Sequence, residues 1–147
     1  MQFMNLPTVK ISIIILFLIG CDNPHREFAD KKNGLDRCIS ILGSYEGIGL
    51  LIPHELSIDK NNQKSIETAE EELRRYYQGL TISDFQELMK LMSELKVLEI
   101  NDNTKNTRFS ITTAKGYAFS KDSDLVSNEY VIYEKLDSHW FYWENKK

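Results

Sequence analysis

The chain has 147 residues, a length suited to one domain, and its 41% hydrophobic and 27% charged content with only three Pro and seven Gly excludes a disordered or low-complexity chain. The formal charge is −4 with no block of like charges and no strongly basic stripe, so no nucleic-acid partner is indicated. Two cysteines are too few for a disulfide framework.

Residues 1–10, MQFMNLPTVK, carry one basic side chain, Lys10, and residues 11–20, ISIIILFLIG, are almost wholly apolar. Ten helical residues cover roughly 15 Å, about half of a 30 Å bilayer core. The run is too short to span a membrane comfortably and suits the hydrophobic region of a signal peptide. Leu18-Ile19-Gly20-Cys21 then resembles the lipobox of bacterial lipoproteins. The resemblance covers residues 1–21 only. It implies removal of residues 1–20, a diacylglyceryl thioether on Cys21, and acylation of the freed amino group, with palmitate as a typical chain. One buried chain binds marginally, at about 0.8 kcal/mol per CH₂, and two or three anchor stably. Asp22 resembles the inner-membrane retention signal of enteric-type lipoproteins. That implies the periplasmic face of the inner membrane; without retention the destination is the outer membrane.

Cleavage takes away Lys10 and no acid, so the remaining chain carries −5. An acidic body is expected to hang from its lipid and not to lie on an anionic surface. With Cys21 acylated, Cys38 in DRCISIL is alone among apolar neighbours and is expected to be a buried, inert thiol.

Residues 21–34 read as the lipidated cysteine and a polar tether, with a reach of about 20 Å for thirteen flexible residues. Asn23-Pro24 offers the alternative of a helix start, with Asn as cap and Pro in the first turn. Residues 35–147 then form one α+β domain. Leu35, Cys38, Leu42 and Tyr45 fit a helical face to about Leu42, followed by an extended GIGLLIP and a loop over 54–64. A helix over 65–79 has Ser65 or Thr68 as cap, and Gly79 as stop. A second begins at Ser83 and presents Phe85, Leu88, Met89, Met92 and Leu95 on one side. From residue 96 the pattern becomes strands: KVLEI, RFSITT, KGYAFS, EYVIYEKL and HWFYWE. Alternation points Tyr130, Ile132 and Glu134 one way and Val131, Tyr133 and Lys135 the other, and sets Trp140 and Tyr142 against Phe141 and Trp143. The expected fold is two to three N-terminal helices packed on a C-terminal antiparallel meander.

Chemistry is sparse. SIDK at Ser57–Lys60 and SELK at Ser93–Lys96 match the Ser-x-x-Lys motif of penicillin-binding proteins, but the companion motifs are missing. His25, His54 and His139 have no metal-ligand spacing, and no glycine-rich phosphate loop occurs. No catalytic residue, metal site or cofactor is therefore expected. The aromatic residues Tyr130, Tyr133, Trp140, Tyr142 and Trp143 offer a candidate binding face, because Trp and Tyr dominate interface hot spots. The expectation is a membrane-anchored, non-catalytic protein-binding lipoprotein of the cell envelope, such as an immunity or inhibitor protein. Envelope assembly is the alternative.

Overall fold

The computed structural model describes residues 23–122 and 124–147. Three helices, α1 (Pro24–Leu42), α2 (Gln63–Tyr76) and α3 (Ile82–Leu95), combine with six strands: β1 (Gly49–Leu51), β2 (Glu99–Asp102), β3 (Asn106–Ser110), β4 (Lys115–Ser120), β5 (Val131–Lys135) and β6 (Trp140–Asn145). The class is the expected α+β, with helices ahead of most of an antiparallel sheet. Among the described residues no helix is long and apolar enough to cross a membrane.

The polar segment assigned to a tether is the first half of α1. Asn23 caps it by accepting from the His25 N–H at 3.0 Å, and Pro24 sits in the first turn where no N–H is needed. Only Phe28 is buried before Leu35, which is why this half reads as hydrophilic. Gly34 does not end the helix. A Cβ there would meet Leu95 Cδ2 at 2.9 Å, so glycine lets α1 approach α3 closely.

The other caps also differ from expectation. Asn62, not Ser65 or Thr68, caps α2 by accepting from Lys64 N–H at 3.1 Å, while the Thr68 hydroxyl donates back to the Lys64 carbonyl at 2.8 Å. Thr81, not Ser83, caps α3 by accepting from Asp84 N–H at 3.1 Å. Lys96 closes α3 in the left-handed region, and Val97 N–H donates to Met92 carbonyl at 2.8 Å.

The sheet order is β1-β2-β3-β4-β6-β5, antiparallel throughout. β2, β3 and β4 follow one another as a meander. The chain then passes to the far edge, and β6 returns between β4 and β5. Gly116 in β4 lies so close to the Phe109 carbonyl that an added Cβ would overlap it, so this register admits only glycine there.

Leu51, Ile100, Phe109, Tyr117 and Trp140 meet the apolar faces of α1 and α3 in the main core. α1 crosses this face from one edge to the other. Its first turn touches β5 through His25 Nε2 and Glu134 Oε1 at 2.8 Å. Midway, Asp36 accepts the Trp140 indole N–H at 2.9 Å. Its last turn shares a small cavity with Asp102 and Thr107 of β2 and β3. Nineteen residues span about 28 Å, comparable with the roughly 24 Å width of a six-stranded sheet. Cys38 lies fully buried on α1, and burial pushes its thiol up to about 12, which makes it inert at neutral pH.

Candidate recognition surface on the helix-free face

The opposite face of the sheet carries no helical cover among the described residues. Ala118, Phe141 and Trp143 form a small second cluster there, with Leu125, Val131 and Tyr133 packed against it. Leu125 comes from the β4–β5 connection. That connection runs along β5, where the Ser127 hydroxyl accepts from Tyr133 N–H at 2.8 Å and Asn128 N–H donates to the Val131 carbonyl at 2.9 Å.

Toward β2 and β3 this face becomes polar and concave. The register places Asn101 opposite Arg108 and Arg108 opposite Ala118, so all three point to the same side. The Arg108 guanidinium lies over the Trp143 ring, 4.0 Å from its centroid. Below it the indole N–H of Trp143 donates to the Tyr117 carbonyl at 3.2 Å, fixing the ring that Arg108 covers. Beside it Glu99 accepts from the Ser110 hydroxyl at 3.0 Å. A shallow concavity of about 210 Å³ joins these groups with Thr113 and Asn145.

Arg108 is the group with unspent chemistry. Among the described residues its guanidinium has no hydrogen-bond or ion-pair partner, only the indole face. A cation over an aromatic ring gains about 0.5–1 kcal/mol when exposed. The N–H groups stay available for a planar acceptor such as a carboxylate.

The five aromatic residues expected to share one binding face divide between the two. Trp140 and Tyr142 lie on the helix-covered side, and Trp140 is buried in the main core. Tyr133 and Trp143 lie on the helix-free side, Trp143 buried beneath Arg108. Tyr130 precedes β5 and is 69% exposed. Alternation along the last two strands gives this division; a continuous aromatic face does not form. Cys21 and Asp22 lie outside the described residues.

The histidines have local partners: Glu134 for His25, the Phe85 and Tyr77 rings for His54, and the Ser120 carbonyl for His139 Nδ1 at 3.0 Å. No group of three or more His, Cys, Asp or Glu side chains is arranged to hold a metal among the described residues. No family model, curated protein or solved structure matches the chain.

Proposed function

We propose that the protein is a lipid-anchored, non-catalytic binding module of the cell envelope, acting as an immunity or inhibitor protein from the periplasmic face of the inner membrane. Its recognition surface is the polar end of the helix-free sheet face, centred on Arg108. The lipobox-like Leu18-Ile19-Gly20-Cys21 supports the anchor, and Asp22 supports retention. The observation that carries the recognition surface is Arg108 itself: a cation 4.0 Å over the Trp143 ring centroid whose N–H groups are uncommitted among the described residues. Such a preorganised Arg–aromatic pair has the composition of an interface hot spot.

Palmitate labelling and capture from the protein's own envelope test the proposal together. Cys21→Ser abolishes the label, and Arg108→Glu releases the captured partner while leaving the circular dichroism spectrum intact. A partner retained by Arg108→Glu moves recognition elsewhere on the domain. Deletion that harms cells only when a toxin is made supports immunity; a defect without any toxin supports assembly.

A further inference from the structure

Seven large apolar side chains stand exposed among the described residues, and six of them fall at the two edges of the sheet. Leu50, Ile52 and Leu98 lie at the β1–β2 edge, exposed by 50–52%. Val126, Tyr130 and Ile132 lie at the β5 edge, exposed by 79%, 69% and 47%. The edges are five strand spacings apart, roughly 24 Å.

α1 ties one edge to the chain start. Its first turn sits against β5 through His25 and Glu134, and Ile132 lies two residues from Glu134 on the same side of that strand. Only Asp22 and Asn23 separate Cys21 from Pro24. Three residue steps reach roughly 11 Å at full extension. A domain of this size has a radius of gyration of about 14 Å. An anchor at Cys21 is thus too short to let the domain turn over. The β5 edge stays toward the membrane, and the β1 edge faces away.

We infer that the β5 edge is a membrane-seating surface, with Val126, Tyr130 and Ile132 entering the headgroup region of the bilayer that holds the Cys21 lipid. The inference rests on the lipid-anchor reading above. Its apolar part suits an interface: two exposed aliphatic side chains and a tyrosine with a polar tip, with Lys146 joined to this edge. Lys146 N–H donates to the Tyr130 carbonyl at 2.8 Å, which brings Lys146 to this edge. The net charge of −5 and the edge carboxylates Glu129, Glu134 and Glu144 oppose adsorption of a free domain, but the tether fixes which edge meets the lipid, and the exposed apolar side chains set the contact. The helix-free face then stands beside the membrane, open to a partner in the periplasm.

The test uses the processed lipoprotein isolated from its own envelope, bearing a single added cysteine from Tyr130→Cys, Ile132→Cys or Leu50→Cys. Cys38 is buried and inert, so the new thiol takes the label. An environment-sensitive fluorophore is attached and the protein is reconstituted in phosphatidylethanolamine–phosphatidylglycerol vesicles with brominated acyl chains. Labels at 130 and 132 are expected to shift to the blue and to be quenched several-fold more than the label at 50. Tyr130→Ser with Ile132→Ser is expected to lower the quenching of a Val126→Cys label toward the value at 50. Equal, weak quenching at 130, 132 and 50 in palmitate-labelled protein overturns the seating alone. A blue shift without bromine quenching assigns this edge to another protein chain and also overturns it. Protein that carries no palmitate label overturns both the anchor reading and the seating.

Discussion

The two faces of the sheet come from the same strands and end in different states. On the helix-covered face, Phe109, Ile100 and Tyr117 are closed under α1 and α3, and even the buried Asp102 carboxylate is satisfied by the Thr107 hydroxyl at 2.6 Å and the Ile48 N–H at 3.1 Å. On the helix-free face, a three-residue cluster is capped by a loop and by one arginine whose N–H groups have no partner among the described residues. The first arrangement supplies stability, because apolar area removed from water is the dominant favourable term in folding. The second leaves polar and aromatic groups positioned with little obligation to the fold. Which face becomes which is decided by α1, whose close approach to α3 at Gly34 holds both helices on one side.

The largest effect should separate the faces through two identical substitutions. Phe109→Ala opens a cavity in the main core and is expected to cost about 3–5 kcal/mol in urea unfolding. Phe141→Ala lies under Leu125 and the β4–β5 connection, which can settle into the vacated space, so it is expected at or below the low end of that range, about 3 kcal/mol. Equal losses would mean that the helix-free cluster is a second full core, and the division of labour would fail.

Parts of this contrast were legible in the sequence. Alternation within EYVIYEKL separates Val131 and Tyr133 from Ile132, and within HWFYWE separates Phe141 and Trp143 from Trp140 and Tyr142; only the register puts Val131 and Tyr133 on the side of Phe141 and Trp143. The apolar stripe of α3 was equally clear. The first half of α1 was not, because a helix that buries only Phe28 in its first eleven residues has almost no periodic signal. The return of β6 between β4 and β5 was also hidden, since alternation assigns faces and not neighbours. For the same reason the sequence does not single out Arg108. It alternates with Thr107 and Phe109 as any surface strand residue would, and only the β3–β4–β6 register carries it over Trp143.

A middle effect tests whether Arg108 belongs to the fold or to a partner. Arg108→Ala removes one cation–aromatic contact and is expected to destabilise by about 0.5–1 kcal/mol, well below either phenylalanine substitution. Urea unfolding of the variant beside Phe141→Ala measures this directly. A loss as large as that of Phe141→Ala would make Arg108 a structural lid for Trp143 and would merge the two faces into one stabilising system.

The smallest effect concerns only the helix-covered side. Arg37 of α1 grips Glu87 of α3 with two hydrogen bonds, Nε to Oε1 at 2.7 Å and an Nη to Oε2 at 2.9 Å. The hydrogen bond from Arg37, then its charge, hold the Glu87 carboxyl below its ordinary value of 4.5. A carboxylate whose folded value is depressed contributes stability that is complete above its unfolded value and disappears as the pH falls through the folded one. The link is therefore intact at neutral pH and fades below about pH 4.5, as the carboxylate gains its proton. The pair is exposed, so its contribution is small and salt-sensitive. Glu87→Gln is expected to lower stability slightly at pH 7, with the difference from the parent chain shrinking as the pH drops below 4.5 and in high salt. Paired urea titrations across that range check it. A difference that grows on acidification has the wrong sign for this link, and would mean that α1 and α3 are held together by packing alone.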